Sequence, residues 1–578
     1  MAIPQSSGRT DLEKKWKALW ADKRSYKKRL VFSGAAMLGA CFTFLFFGPI
    51  EMVAFSSSFL TYSYKDILGI MAIAAIAVCV AGAAVIALIK GKLFNYIVTF
   101  ISAFTVAGYL QALLLNGSLG SLNGDAVSWY NMKAEMISGL LVWLMVFLVF
   151  YCILYFSRDI WKKLVLFSTA LLVAMQFVPL IGIMTGVYEG AGESVVSGLY
   201  FSDNGMYEFS EKDNILVFVL DRMDFDYIES VLQEDPSILD GLDGFTGYSN
   251  AVSKYARTKP ALNHVLTGSD LLAYSIPNSE FLKESWTRGG MNLMQDLTEQ
   301  GYGIEMYASI QDLFSDTEFV TEYVSNLTTS RGKINVSMML RKMLYLSAYR
   351  YLPISMKPFF WADTNFYNSQ MYVNSEIYEM DDAKYAPGFL NSTVVRDQNS
   401  FKFYHFNGPH EPFVLNADGT KSDHYTTAEE QMMGTLNNIY AAFDKLKELG
   451  VYENTAIIIT ADHGDAVHDE IPLTKATRIG LFYKPSGSAG TPLTWSSAPV
   501  STENIPATII KEAGADETVY GIALDDVAED ADVVREYYKS VNEGKMDASV
   551  YRYEIIGDAS VYENWELTDV FDMQYKFY

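Results

Sequence analysis

The amino-acid sequence predicts an N-terminal bundle of five transmembrane helices followed by an α/β domain outside the cell. That domain is expected to be a mainly parallel, doubly wound sheet with helices on both faces and a small C-terminal antiparallel extension. Three observations lead there. Nearly all the long apolar runs of the 578-residue chain fall before residue 190. Charge divides at the same place: residues 1–190 carry 16 Lys+Arg against 9 Asp+Glu, a net of +7, and the remainder carries 28 against 59, a net of −31. After residue 190, short apolar runs rich in β-formers alternate with helical patterns, the signature of a parallel sheet wound with helices.

The apolar runs span roughly 30–50, 67–89, 93–115, 136–157 and 163–187, each close to the ~20 residues a bilayer requires. Five in succession with short connections are not expected of buried core helices. Lys14, Lys15, Lys17, Lys23, Arg24, Lys27, Lys28 and Arg29 crowd the arm before the first run, Lys90 and Lys92 the second turn, and Arg158, Lys162 and Lys163 the fourth. The intervening loops hold only Lys65 and Lys133. This bias places the N-terminus in the cytoplasm, and an odd number of spans places everything after residue 190 outside, in a multi-pass protein of the plasma membrane. The first run lacks a convincing small-residue cleavage site, so it is expected to remain as an anchor. The resulting division is a basic arm at 1–29, spans at 30–187, a linker at 188–213, an α/β domain at 214–525 and its extension at 526–578. Within the linker, Tyr188, Tyr200, Phe201, Tyr207 and Phe209 suit either an ordinary connection or a membrane–water interface.

In the α/β domain, Asn214–Leu220 reads as a strand buried on both faces. Similar runs recur at 303–308, 401–406, 455–460 and 478–483, and a helical pattern at 427–449 stops at Gly450. Ligands of such sheets bind beyond the carboxyl ends of the strands, and polar residues stand there. Asp221 follows the first strand; His405 and His410 lie in and just after the third; Asp462 and His463 follow the fourth. Thr258 precedes a helical stretch with Pro260 in its first turn, where free N–H groups and the helix dipole favour an anion. The acidic domain excludes nucleic acid as a partner, because that requires basic grooves. Cys41, Cys79 and Cys152 all lie in the apolar runs, which leaves the domain without a disulfide or thiol nucleophile.

Each residue alone has an ordinary structural explanation: Asp221 and Thr258 as helix caps, His405 and His410 as satisfied loop histidines, Asp-His-Gly as a turn. Together, Asp221, Asp462, His463 and the Thr258 oxygen would suit one divalent ion such as Zn or Mn, with Mg also compatible. His264 reads as structural and His424 as an exposed loop residue.

At these residues, over roughly 213–525, the chain resembles the sulfatase-like branch of the alkaline phosphatase superfamily. The motifs are Asn-Ile-Leu-Val-Phe-Val-Leu-Asp (214–221), Thr-Lys-Pro-Ala-Leu-Asn-His-Val-Leu-Thr-Gly (258–268), His-Phe-Asn-Gly-Pro-His-Glu-Pro-Phe (405–413) and Thr-Ala-Asp-His-Gly-Asp (460–465). In sulfatases the nucleophile is a Cys or Ser converted to formylglycine, with an Arg four residues on; here Thr258 and Leu262 stand in those positions. A threonine nucleophile behind five spans resembles lipoteichoic acid synthases and lipid A phosphoethanolamine transferases. The absence of cysteine from the α/β domain favours the phosphoglycerol side, although that group usually has Glu where this chain has Asp221. The resemblance implies transfer of a phospho-head-group, glycerol phosphate from phosphatidylglycerol, through a phosphothreonine intermediate. The donor would be a membrane phospholipid and the acceptor a cell-envelope glycan or glycerol-phosphate chain. Asp221, Thr258, Asp462 and His463 would hold the metal, and Thr258 would attack. His405 and His410 would bind phosphate oxygens or protonate the leaving group, with Lys259 and His468 as further substrate contacts. A membrane-anchored phosphodiesterase, phosphatase or sulfatase-like hydrolase is the alternative, and a catalytically silent envelope scaffold a third.

Overall fold

The computed structural model describes residues 24–56, 60–116, 129–186, 198–362, 364–396, 398–465, 471–541 and 548–575. The chain separates into two compact units: residues 1–193 with 333–373, and residues 194–332 with 374–578.

In the first unit, among the described residues, five helices are long and apolar enough to cross a membrane: Tyr26–Phe55, Tyr64–Leu88, Gly91–Leu115, Lys133–Phe156 and Arg158–Met184. Their outward faces are apolar and exposed, as at Ile73, Leu141 and Val178, which is what lipid in place of water demands. Polar groups point inward and pair: Gln176 Nε2 donates to Thr43 Oγ1 at 2.9 Å, Trp161 Nε1 to Thr99 Oγ1 at 2.8 Å, and Ser33 Oγ to the Ala83 carbonyl at 2.8 Å. Residues 333–373, which the sequence leaves inside the α/β domain, pack with these helices instead.

The second unit is built on a seven-stranded sheet. Its strands are β1 (Asn214–Leu220), β2 (Thr246–Tyr248), β3 (Tyr302–Tyr307), β4 (Asn399–Phe406), β5 (Thr455–Thr460), β6 (Leu481–Lys484) and β7 (Thr494–Ser496). The spatial order is β7-β2-β6-β5-β1-β4-β3. β3, β4, β1 and β5 are mutually parallel, and β6 runs against its neighbours. All seven residues of β1 are buried, as its unbroken apolar composition requires of a central strand covered on both faces. The helices that position the site are α1 (Phe225–Glu234), α2 (Thr258–Thr267), α4 (Ala428–Leu449) and α5 (Asn504–Glu512); α3 (Val336–Tyr351) belongs to the first unit. α4 begins with a capping box, Thr427 with Glu430, and ends at Gly450 with φ +74°. The extension is a three-stranded antiparallel sheet of β8 (Val534–Val541), β9 (Ser549–Ile556) and β10 (Trp565–Asp572).

The linker expectation changes. From residue 198 the chain already belongs to the second unit, and short strands at Tyr200–Phe201 and Glu208–Ser210 pair with it. Phe201 and Phe209 are buried in its core, so they are not at a membrane interface; Tyr188 lies outside the described residues.

Candidate active site

The parallel strands end level. Val219 of β1 is in register with His405 of β4 on one side and Thr460 of β5 on the other. Asp221, His405 and Asp462 therefore emerge together at the carboxyl edge. Each of the three is buried, and one ligand atom from each lies within 4.8 Å of the others. His463 joins them, its Nε2 3.4 Å from Asp462 Oδ2 and 3.8 Å from Asp221 Oδ1; His405 Nε2 is 3.6 Å from Asp221 Oδ2.

Backbone groups aim these side chains. The N–H groups of Arg222 and His463 donate to Asp462 Oδ1 at 3.1 and 2.8 Å, which leaves Oδ2 facing the cluster. His463 Nδ1 donates to the Gly464 carbonyl at 2.8 Å, so its Nε2 presents a lone pair. Asp221 Oδ1, Asp462 Oδ2 and His405 Nε2 are buried without a hydrogen-bond partner. Such orphans are costly. Two carboxylate oxygens and an imidazole nitrogen converging on one point are the donor set of a divalent cation, so the residues fit a metal. The sequence assigns His405 to substrate; the geometry puts it among the potential ligands.

Thr258 opens α2. Its hydroxyl lies 3.4 Å from Asp221 Oδ2 and 3.3 Å from His463 Nε2, and both neighbours can accept its proton. Burial pushes the Asp221 carboxyl up, but the imidazoles of His410, His405 and His463 around it together hold it well below the usual range. Asp462 is pushed up by burial and by the Asp221 charge beside it. For His405, burial favours the neutral ring, yet Asp221 outweighs this and raises its pKa. Lys259 lies 3.7 Å from Asp312, and burial lowers its pKa against that partner. His410, half-buried, has its Nδ1 2.6 Å from the Glu411 carbonyl.

His264 is buried inside α2, with Nδ1 3.0 Å from Thr502 Oγ1, and His424 is exposed beside Asp423. His468 lies outside the described residues. Residues missed in the sequence complete the frame. Arg222 adopts φ +62° immediately after Asp221, a left-handed conformation that costs a non-glycine residue about 1–3 kcal/mol, and its guanidinium lies 3.4 Å from Asp465. Asp224 accepts from the Asp465 N–H at 2.9 Å and Thr477 Oγ1 at 3.2 Å, tying down the 462–465 turn. Asp382 accepts from the N–H groups of Asn407 and Gly408 and from Thr435 Oγ1, at 2.9–3.0 Å. Gln431 donates to the Gly408 and His410 carbonyls at 2.7 Å. Asp-Arg after a strand was the one visible signal; the other contacts join residues far apart in sequence.

The profile of the sulfatase family matches residues 213–515, more than half of the chain. The chain belongs to the sulfatase family. No curated protein matches it. Among solved structures, it is similar to the phosphonate monoester hydrolase SpPMH from Silicibacter pomeroyi, with 16% identity, coverage of 63% of this chain and 89% of that one, and a TM-score of 0.36. An alkaline phosphatase superfamily protein from Vibrio parahaemolyticus shows 11% identity, 64% and 85% coverage and a TM-score of 0.38. The putative sulfatase yidJ from Bacteroides fragilis shows 14%, 63% and 90%, and 0.37.

Proposed function

We propose that this sulfatase-family protein transfers a phospho-head-group, glycerol phosphate from phosphatidylglycerol, to a cell-envelope glycan or glycerol-phosphate acceptor. The single observation that carries the reading is Thr258, an unmodified hydroxyl at a helix N-terminus within 3.4 Å of both Asp221 and His463. Leu262, at the position where sulfatases carry Arg, is buried and offers sulfate no charge. Five spans support a lipid donor, because tethering both partners to one membrane raises their effective concentration. With the N-terminus in the cytoplasm, the site would work at the outer surface.

Thr258 Oγ1 would attack the phosphorus of the lipid phosphodiester while its proton passes to Asp221 Oδ2, 3.4 Å away. The bond to the diacylglycerol oxygen breaks, and that oxygen takes up a proton, a role that would fall to His410 once His405 ligates the ion. The phosphothreonine ester is then cleaved by an acceptor hydroxyl, which restores Thr258. A divalent ion held by Asp221, Asp462, His463 and His405, Mn or Zn being the best match to these ligands, would lower the hydroxyl pKa and offset developing negative charge. Lys259 and the N-terminus of α2 suit the phosphate oxygens.

The family match also suits hydrolysis, in which water resolves the same intermediate. Turnover of head-group-labelled phosphatidylglycerol with and without a glycerol-phosphate acceptor separates the two. Transfer predicts label in the acceptor and slow turnover without it; equal turnover in its absence overturns the transfer step. A protein that binds neither Mn nor Zn would sink both in favour of a scaffold.

A further inference from the structure

Between β3 and β4 the chain leaves the second unit and returns to the first, as residues 333–373. This excursion packs at the end of the bundle from which the chain leaves the fifth span. Met339, Met343 and Leu346 of α3 join Ile50, Val53 and Ile67 in one buried cluster. The seat is built for it. A Cβ on Gly48 of the first span would run into the Tyr351 ring, and Gly108 of the third span faces the Tyr351 carbonyl. Gly48 lies about two turns, ~10 Å, short of the end of its span at Phe55, so the excursion reaches below the helix ends.

Polar groups at this level are paired rather than solvated. Arg350 Nη2 donates to Glu51 Oε2 of the first span at 2.8 Å. Asn116 Nδ2 donates to the Arg350 carbonyl at 2.8 Å, and buried Lys357 donates to the carbonyls of Tyr349 and Arg350 that close α3. Ion pairs at the edge of a bilayer are rare unless they hold something in place. Large apolar side chains stand on the outward side of the same segment: Val336, Leu344 and Met356 are about half exposed and Phe359 is 76% exposed, with Ser337 and Arg341 exposed among them. Long basic side chains can reach from such a layer to water. In the same segment Tyr345 meets Phe360 edge-on and Phe366 at a tilt, the aromatic composition of a membrane–water boundary. Large apolar side chains on a segment packed against helices long and apolar enough to cross a membrane call for lipid, as in interfacial helices.

We propose that residues 333–373 are embedded in the interfacial layer of the bilayer, with Val336, Leu344, Met356 and Phe359 against phospholipid acyl chains and Arg350–Glu51 as the lock that seats them. The test uses the full chain in lipid nanodiscs, with Cys41, Cys79 and Cys152 replaced by Ala. Single cysteines at Leu344→Cys and Phe359→Cys carry an environment-sensitive fluorophore; Asp516→Cys, exposed in the second unit, is the aqueous control. Embedding predicts strong quenching at 344 and 359 by acyl-chain nitroxide lipid, and iodide quenching several-fold weaker than at 516. Equal iodide quenching at all three sites, with no effect of the nitroxide lipid, overturns the proposal. Hydrogen exchange over 336–351 tests the lock without a label. Glu51→Arg and Arg350→Glu should each accelerate it at least several-fold and the double variant restore protection; singles that exchange like the parent overturn the role of the pair.

Discussion

Thr258 has no special chemistry by itself; its reactivity follows from two acceptors and a helix end. Thr258→Ala should reduce turnover by at least about a thousandfold while leaving metal content at one ion per chain, and Thr258→Ser should recover part of the rate. Loss of metal together with activity in Thr258→Ala would make the threonine oxygen a ligand of the ion instead of the attacking group alone. Asp462→Ala should abolish metal binding, because the remaining ligands cannot balance the ion. His405→Ala separates two roles. If His405 is a ligand, metal affinity measured by competition with a chelator falls about tenfold or more; if it only meets substrate, affinity is unchanged and KM rises. The buried carboxyls of Asp224 and Asp382 are each pushed up to about 6, chiefly by burial. Each favours its protonated form in the folded state, so its stabilising contribution is complete below the unfolded value near 3.8 and is lost as pH rises through about 6. The melting temperature of the metal-stripped protein should therefore rise as pH falls from about 7.5 to 5.5, and Asp382→Asn should flatten that slope. Glu503, held down near 2 by His264 and Lys254 against its burial, acts oppositely and only below about 4.5.

At the scale of elements, the site depends on how closely the 405–413 segment approaches β1. Gly408 has φ +53°, and a Cβ there would lie 2.9 Å from the Asp221 backbone N and O. Gly408→Ala should cost on the order of 1–3 kcal/mol in unfolding experiments and depress activity by displacing Asp221. Five of the seven strands were legible because apolar runs bounded by polar residues leave few alternatives; β2 and β7, three residues each, offer no such run. Asp221, Asp462 and His463 were legible because they follow directly from strand ends. Arg222, Asp224 and Asp382 were not. Their roles rest on a left-handed backbone angle or on hydrogen bonds to residues up to 253 positions away, and local pattern carries neither. His405 was found, but whether it faces metal or substrate depends on the relative register of β4 and β1, which composition does not specify.

For the whole molecule, the apolar–acidic division of the chain anticipated both units. It did not anticipate that 333–373 returns to the membrane helices, because α3 mixes Met, Tyr, Lys and Arg and has no run of span length. The proposed lipid donor gives tethering a kinetic consequence. In proteoliposomes, phosphatidylglycerol in the same vesicle as the protein should be consumed at least tenfold faster than lipid in separate vesicles; equal rates would remove the reason for the anchor. Everything in the proposed reaction turns on one bond, between Thr258 Oγ1 and a phosphorus from the lipid. Its most direct measurement is peptide mapping of the full-length protein after brief incubation with head-group-labelled phosphatidylglycerol and metal, without acceptor. A glycerophosphoryl adduct is expected on the peptide containing Thr258 and is expected to be absent from Thr258→Ala. Label on another residue, or undiminished turnover in Thr258→Ala, would contradict it.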